Sequence, residues 1–302
     1  MKNDTVITLL CVTILLPETN RKENNMSDQR TMKSYDELEF RDDFMFGKVM
    51  EDKELCREVL ECLLQRPVGE LTEIQTQKEF KYYSDGKPIR LDVYNRDSDS
   101  TVYDAEMQNL NKKTVEWHAL PKRSRFYQGA IDTDYLDKND SYKMLPDSNV
   151  IFICTFDPFG YGLAHYSFCE RCNEKTDLIL GDGTEKHFYN CTYKGSDIPQ
   201  ELRDFFDYVM SGEMKGVLAK RIDEQVDKAR KNSKWRSAYM KERTLIMDAK
   251  EEGREEGREE GVKEIIVNML RCGKSVEEVV SLSGCSYEQV KSIEESLLAT
   301  AN

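Results

Sequence analysis

The amino-acid sequence predicts an α/β fold: a mixed β-sheet flanked by helices, with a small helical C-terminal extension. Three observations support this prediction. Short segments that alternate apolar and polar residues are interleaved with segments of helical periodicity. Two predicted strands are followed by a helix and then by the very apolar run NVIFICTFD, an order typical of a mixed sheet with helices packed on it. The last sixth of the chain shows only helical patterns.

Each predicted element follows from its local pattern. Residues 34–65 predict two helices, because apolar residues recur at helical spacing, and Asp52 is a candidate N-cap of the second helix. A further helix is predicted over residues 121–136. The segment 156–197 is rich in Gly, Asp, Asn and Tyr and predicts irregular hairpins, with helical periodicity resuming near Ile198. The predicted strands are residues 70–80, 87–95, 101–108 and 149–157.

The C-terminal region combines a glycine repeat with a helical pair. In EEGREEGREEG, Gly253, Gly257 and Gly261 share one stripe if the segment is helical, which permits close approach of another helix. Because each Gly disfavours a helix by about 1 kcal/mol relative to Ala, a flexible hinge and a marginal, self-associating helix are both compatible with the repeat. Farther on, Ser275 and Gly284 predict the start and end of a short helix, and a second short helix follows.

These patterns divide the chain into four regions. They are a disordered or mis-started N-terminal extension (1–26), the main α/β domain (27–245), a Gly/Glu/Arg-rich helical linker (246–262) and a small helical pair (263–302). The apolar run Val6–Leu16 is too short to span a bilayer, which takes about 20 residues. It resembles a signal-peptide core, but no small-x-small cleavage site follows it. We therefore expect no membrane association and a cytoplasmic location.

The charge and cysteine content of the chain limit the binding partners and the redox environment that we expect. The 302 residues carry a net charge of -13, which argues against a protein coated in basic patches. The acidic excess is uneven, since the chain from Glu251 onward has twelve Glu against six Lys or Arg. The segment Lys228–Arg243 has the opposite bias, which suits either phosphate binding or a solvated helix face. The nine cysteines are irregularly spaced, which favours reduced thiols over a disulfide framework.

The stretch IRLDVYNRDSDSTVYDAEMQ places carboxylates among bulky apolar residues of two predicted strands. A hairpin centred on Asp99 pairs Asp92 with Glu106, since both lie seven residues from the centre. Asp104, Glu106 and Gln108 share one strand face. Like charges directly opposite each other are destabilising. A divalent cation bound between them makes the same arrangement favourable, because such a cation needs oxygen ligands. The pattern therefore predicts a metal site, with a solvated edge hairpin as the alternative.

Asp92, followed 14 residues later by Glu106 and then by Gln108, resembles the PD-(D/E)xK nuclease motif. More narrowly, the chain resembles the PD-(D/E)xK nuclease family transposases, also called recombination-promoting nuclease (Rpn) proteins. The resemblance extends from Tyr35 to the C-terminus and implies a restriction-endonuclease-like fold for the main domain. It is carried by RDDFMFGKVMED, LDVY, DAEMQ, RSRFYQGAI, VIFICTFDPFG and LGDGTEKHFYN, by the Gly-Arg-Glu-Glu repeat and by the final helical pair.

The resemblance assigns the central residues. It implies that Asp92 and Glu106 are metal ligands, that the Met107 carbonyl is a third ligand, and that Gln108 completes the catalytic set. The implied cofactor is Mg²⁺, for which Mn²⁺ can substitute. Gln108 stands where the general motif has lysine and cannot supply positive charge. Leu91 stands where the general motif has proline.

The resemblance also implies accessory residues. Asp43 matches an early acidic position and would assist through water. Arg123 and Tyr127 are spaced i,i+4 on the helix after the hairpin and would contact phosphate or serve packing. Asp104, on the same strand face as Glu106, is either a supporting group or a solvated one.

A second constellation has the spacing of a zinc site. The alternative is that these cysteines are apolar strand residues, which the family resemblance favours. The four candidate ligands are Cys169, Cys172, His187 and Cys191.

The sequence thus predicts a metal-dependent DNA endonuclease linked to recombination or transposition, with possible association of copies through the C-terminal helical tail. The first alternative is a nuclease-fold module that binds nucleic acid or a protein partner without cutting, favoured by Gln108 and the acidic surface. The second is a zinc-dependent DNA-binding protein built on the cysteine constellation.

Overall fold

A computed structural model describes residues 33–80, 89–109 and 117–300. The chain from Tyr35 onward forms one unit. The predicted N-terminal extension, residues 1–26, lies outside the described residues, and so does the apolar run Val6–Leu16. Within the described residues, no helix is both long enough and apolar enough to cross a membrane.

In the described part of the chain, two α-helices precede three strands, one α-helix and three further strands, and the chain after residue 199 is helical. The strands are β1 (Leu71–Phe80), β2 (Ile89–Asp97), β3 (Val102–Gln108), β4 (Ser148–Cys154), β5 (His165–Phe168) and β6 (Thr184–Asn190). The helices are α1 (Asp43–Val49), α2 (Lys53–Leu64), α3 (Leu120–Tyr135), α4 (Gln200–Ser211), α5 (Gly216–Arg230), α6 (Ser233–Arg271), α7 (Val276–Ser283) and α8 (Tyr287–Thr300). The Asp52 side chain caps α2 by accepting from the Leu55 amide at 3.1 Å, which confirms the predicted N-cap.

The six strands form one mixed sheet in the order β1-β2-β3-β4-β6-β5. β1, β2 and β3 are antiparallel neighbours, whereas β3, β4 and β6 run parallel, and β5 is antiparallel to β6. Helix α3 makes the crossover between the parallel strands β3 and β4. The prediction of a mixed sheet flanked by helices is therefore confirmed.

One part of the sheet departs from the prediction. The segment 156–197 contains strands β5 and β6, which pair with each other. Strand β6 also lies inside the main sheet, as the parallel neighbour of β4. The antiparallel β5–β6 pair and its irregular connection agree with the prediction, but the place of β6 beside β4 was missed, because Gly181 and Gly183 give the segment before β6 the composition of a loop. Both glycines have positive φ angles, which glycine adopts readily.

The sheet separates two hydrophobic cores. One face packs against α1, α2, α4 and α5, and the other face packs against α3. All seven residues of β3 and all seven of β4 are buried, as expected for strands covered on both faces. Any polar side chain on these strands is therefore withdrawn from water by the fold itself.

The alternation of side chains shifts within β2. Leu91 belongs to the core on the α3 side, whereas Val93 belongs to the core on the opposite side, although a regular strand would place them together. In β1, Thr76 pairs with Val93 and Lys78 pairs with Leu91, so Gln77 falls opposite residue 92. Gln77 has a φ of 56°, so the neighbouring strand is irregular at the same position.

The glycine repeat lies inside α6, a helix of 39 residues. Tyr239 of α6 packs in the core of the main domain, and Ile266 packs with α7 and α8. Ser275 forms the predicted capping box with Glu278, and Gly284 ends α7 in the left-handed conformation. The repeat is thus helical, and the boundaries predicted near 245 and 262 fall within one continuous helix.

Candidate active site

The β2–β3 hairpin brings Asp92 and Glu106 together. Its antiparallel register, centred on Asp99 as the sequence predicts, pairs Val93 with Ala105, and Asp92 and Glu106 each lie one residue beyond that last pair. The Asp92 amide donates to Glu106 Oε1 at 2.8 Å, and the Met107 amide donates to Asp92 Oδ2 at 3.2 Å. Each carboxylate is therefore held by the backbone of the opposite strand, and the two are cross-strand neighbours.

A third carboxylate, that of Asp104, is buried on the same hairpin. The exposed fraction is 9% for Asp92, 1% for Glu106 and 0% for Asp104. Neither oxygen of Asp104 has a hydrogen-bond partner among the described residues. Because a buried carboxylate without donors is costly, Asp104 is not the solvated group that the sequence left open, and it belongs to the cluster.

Burial and mutual repulsion raise the pKa of every carboxyl in the cluster. Desolvation, followed by the charge of Glu106, raises the pKa of Asp92 well above its ordinary value. Desolvation and the charges of Glu106 and Asp92 do the same to the pKa of Asp104. Desolvation also raises the pKa of Glu106, although the charge of Arg123 opposes that rise. The cluster holds more negative charge than its surroundings stabilise, so it favours a proton or a cation.

Arg123, on α3, is the cationic side chain that contacts the cluster among the described residues. Its Nη2 donates to Glu106 Oε2 at 2.7 Å and its Nη1 donates to Gln108 Oε1 at 3.1 Å. The guanidinium carbon lies 5.2 Å from the ring centre of Tyr127 and 5.5 Å from that of Phe152. Two hydrogen bonds and two aromatic rings therefore fix its orientation.

Gln108 links the cluster to Arg123. Its Nε2 donates to the Met107 carbonyl at 3.1 Å, while its Oε1 accepts from Arg123. The amide carries no charge, so Gln108 does not replace the lysine of the general motif. Arg123 supplies positive charge to Glu106 instead.

The other two accessory candidates differ in their distance from the cluster. Tyr127 is 8% exposed and packs its ring beside Arg123, with desolvation as the main cause of its raised pKa. Asp43, at the start of α1, keeps an exposed side chain, although desolvation by the surrounding protein raises its pKa. The charge of Asp43 raises the pKa of both Asp92 and Glu106, so it lies within electrostatic reach of them.

The donor set suits a hard divalent cation. Asp92 and Glu106 offer carboxylate oxygens and Met107 offers a carbonyl, which are ligands that Mg²⁺ and Mn²⁺ prefer. Among the described residues, no three or more His, Cys, Asp or Glu side chains form a group that could hold a metal ion. Such a cation would therefore complete its shell with water or substrate oxygens, as Mg²⁺ commonly does. The orphaned carboxylate of Asp104 behind Glu106 adds to the negative potential.

A family model described as PD-(D/E)XK nuclease family transposase matches residues 7–190. The match covers more than half of the chain and includes the whole carboxylate cluster. The chain belongs to the PD-(D/E)XK nuclease family transposases. This membership confirms the resemblance drawn from the sequence and supports a nuclease-like function. No curated protein and no solved structure matches the chain.

The structure of this PD-(D/E)XK family member does not bring the four zinc candidates together, and no metal-holding group includes them within the described residues. The Cys191 thiol is fully buried, and desolvation raises its pKa well above the ordinary value, which disfavours the thiolate that zinc requires. The ring nitrogens of His187 contact His165 Nε2 at 3.1 Å and Asn149 Oδ1 at 3.3 Å.

Two features of the site escaped the sequence analysis. Phe152 provides one of the two rings beside Arg123, because the parallel β3–β4 register pairs it with Glu106. The burial of Asp104 follows from the same register, since the neighbouring strand is apolar on both faces. The apolar run NVIFICTFD was the available signal, because a strand buried on both sides shields its neighbours.

Proposed function

We propose that this chain is a metal-dependent DNA endonuclease of the PD-(D/E)XK type, linked to recombination or transposition, with Mg²⁺ as its cofactor and Mn²⁺ as a substitute. The observation that carries the proposal is the side-by-side burial of Asp92 and Glu106, each held by the opposite strand, with Arg123 beside them. Family membership supports the reaction class.

The residues of the cluster would divide the chemistry among them. Asp92, Glu106 and the Met107 carbonyl would hold the cation. When bound, the divalent ion supplies a Lewis acid and lowers the pKa of a water molecule that attacks the phosphodiester. Asp43, whose charge acts on both Asp92 and Glu106, would orient a water molecule through its exposed carboxylate.

Arg123 would supply the positive charge that lysine supplies in the general motif at the position of Gln108. Its guanidinium can pair with a phosphate oxygen as well as with Glu106, because it carries five donors in a fixed fork. Tyr127 and Phe152 hold the guanidinium plane, and Gln108 fixes one of its nitrogens. A preoriented cation of this kind stabilises charge that develops on the phosphate in the transition state.

The test is plasmid nicking by the full chain in Mg²⁺ or Mn²⁺, with Asp92→Asn and Glu106→Gln compared with the parent. We expect both variants to lose at least about 100-fold of the cleavage rate, because each removes a ligand charge. Asp97→Asn is the matched control, since it makes the same chemical change at the other end of the hairpin. Circular dichroism checks that each variant is folded, and undiminished nicking by both variants contradicts the proposal.

The second candidate is a nuclease-fold module that binds nucleic acid without cutting it. The ion pair of Arg123 with Glu106 favours it, because that pair already compensates one carboxylate in the absence of a metal. Gel-shift binding in EDTA, measured beside the nicking assay, separates the two candidates. Binding without cleavage in either metal supports the module, and metal-dependent cleavage supports the endonuclease.

A further inference from the structure

The outer face of α3 belongs to the helix whose Arg123 contacts the carboxylate cluster, and it is exposed in the described part of the protein. We define this face by four residues at positions i, i+3, i+4 and i+7, which places them on one side of the helix. All four are exposed, whereas the inner face is buried against the sheet. Arg123 lies between the two faces and reaches the cluster. The outer-face residues are Lys122, Arg125, Phe126 and Gly129.

The outer face is locally cationic. Lys122 and Arg125 are exposed, and neither forms an ion pair with a described residue. Between Trp117 and Ile131 the sequence contains no Asp or Glu, although the whole chain carries a net charge of -13. Arg123, which pairs with Glu106 of the cluster, lies between these two residues in the sequence. Such a patch is complementary to a polyanion, and exposed charges act over about 10 Å at ordinary ionic strength.

An exposed aromatic ring stands between these cations and the rest of the helix. The Phe126 side chain is 48% exposed. A single exposed aromatic residue is ordinary on a protein surface. Here it lies one turn from Lys122 and next to Arg125, and the combination of cations with an aromatic ring is the pattern that holds unpaired nucleic acid.

Gly129 is the independent observation. It lies within α3, where glycine is less favourable than alanine. A Cβ atom at this position would meet no described atom within 4 Å, so packing inside the protein does not require glycine. Its φ angle is not positive either, so the backbone conformation does not require it. A bare backbone on an exposed face permits close approach of a partner.

We propose that the outer face of α3 carries a single-stranded segment of the nucleic acid that is cut at the carboxylate cluster. Lys122 and Arg125 contact its phosphates, Phe126 stacks on an unpaired base, and Gly129 allows the strand to approach the helix. This inference rests on the proposed function and names the form of its substrate. A paired duplex would use the two cations but would leave the ring without a base to stack on, because its bases are already stacked.

The experiment is fluorescence anisotropy in EDTA with the full chain, a labelled oligothymidylate and a labelled duplex of equal length. Lys122→Ala with Arg125→Ala is expected to weaken oligothymidylate binding about tenfold or more and to reduce the salt slope by about 1.4. Phe126→Leu is expected to weaken it about tenfold, since stacking contributes strongly for each base. It is expected to leave duplex binding unchanged.

Gly129→Gln separates binding from folding. The substitution favours the helix, so the unfolding midpoint is expected to rise, while oligothymidylate binding is expected to weaken at least threefold. A merely structural role for position 129 would move both quantities in the same direction. The matched control is Lys138→Ala with Lys143→Ala, which removes the same charge from exposed positions beyond the C-terminal end of α3.

The outcomes distinguish this inference from the proposed function. Equal binding by the parent and all α3 variants overturns the inference, and so does a preference for duplex that Phe126→Leu does not alter. In both cases metal-dependent cleavage that requires Asp92 and Glu106 leaves the proposed function standing. A parent that neither binds nor cuts either nucleic acid contradicts both. An equal loss in the Lys138 and Lys143 control also overturns the inference, because net charge alone then explains the effect.

Discussion

The two ends of the β2–β3 hairpin bury aspartates in opposite ways. At the turn, Asp97 is 4% exposed and its carboxylate accepts from the Asp99 amide at 3.0 Å, the Thr101 amide at 2.9 Å and the Tyr103 hydroxyl at 2.9 Å. Toward the open end, where Asp92 and Glu106 lie, Asp104 is 0% exposed and has no hydrogen-bond donor within the described residues. At the turn, the carboxylate of Asp97 is satisfied by three hydrogen-bond donors. Toward the open end, several carboxylates lie together with too few donors.

The difference shows what makes a buried acidic residue functional. A carboxylate surrounded by donors stabilises a turn, because its hydrogen bonds offset its desolvation. A group of carboxylates with too few hydrogen-bond donors is stabilised by a bound cation. Without a cation, the pKa values of such carboxylates are raised, as they are for Asp92 and Asp104. Burial by itself does not separate these two cases, but the number of donors does.

The largest expected effect comes from removing the cation at the carboxylate end. We expect Arg123→Met to reduce metal-dependent cleavage by about 100-fold, which is close to 3 kcal/mol of transition-state stabilisation. The reason is that no lysine stands at position 108 to compensate. Single-turnover nicking of plasmid DNA at saturating Mg²⁺ measures this loss.

Arg123→Lys is the conservative comparison for that prediction. Lysine keeps the charge but cannot make the two-point contact with Glu106 and Gln108, so it is expected to restore only part of the rate. Full cleavage activity in Arg123→Met would show that the carboxylate cluster does not need this guanidinium. The predicted functional difference between the two ends of the hairpin would then be contradicted.

A smaller effect is expected at the turn end, on stability and not on cleavage. Asp97→Ala would leave two amides and the Tyr103 hydroxyl without their acceptor, so we expect the free energy of unfolding to fall by about 2 kcal/mol. Urea denaturation monitored by circular dichroism measures the change. Asp97→Asn keeps an acceptor for the amides and is expected to lose less. A large loss of cleavage per folded molecule in Asp97→Ala would mean that the two ends are not functionally distinct.

The smallest expected effect is the pH dependence of stability without metal. The raised pKa values of Asp92 and Asp104 mean that the folded state binds more protons than the unfolded state above pH ~4, where unfolded Asp titrates. The free energy of unfolding is therefore expected to fall as the pH rises from 5 to 8. In Asp104→Asn this fall is expected to be shallower.

Mg²⁺ is expected to change that profile, because its ligands must be deprotonated. The stabilisation by Mg²⁺, measured as the shift of the urea midpoint, should be larger at pH 8 than at pH 5. The same pH slope in the parent and in Asp104→Asn, together with a Mg²⁺ effect that does not depend on pH, would contradict the assignment of the carboxylate cluster.

The sequence sufficed for the two helices before the sheet, for strands β1 to β4, for α3 and for the register of the β2–β3 hairpin. Counting outward from Asp99 places Asp92 opposite Glu106, because a tight hairpin leaves few registers available. The caps of α2 and α7 followed from Asp52 and Ser275, because capping is a local interaction. Such features depend on neighbours along the chain.

What the sequence could not provide depends on neighbours in space. Strand β6 was missed because its partner β4 is about 30 residues away and the intervening segment has the composition of a loop. The donor-free burial of Asp104 and the ring of Phe152 beside Arg123 both depend on the β3–β4 register. The predicted domain boundaries and the association of copies through the helical tail stay predictions.

The glycine repeat of helix α6 separates the core of the main domain from the core of the terminal helices by a fixed length of helix. From Tyr239 in the main core to Ile266 in the terminal core, the helix advances roughly 40 Å at 1.5 Å per residue. Residues 251–260 are all exposed along the way, so no described side chain holds this stretch against another element. Deleting one four-residue repeat would shorten the span by about 6 Å and rotate the terminal helices by about 40°. The number of repeats therefore sets both the reach and the azimuth of α7 and α8.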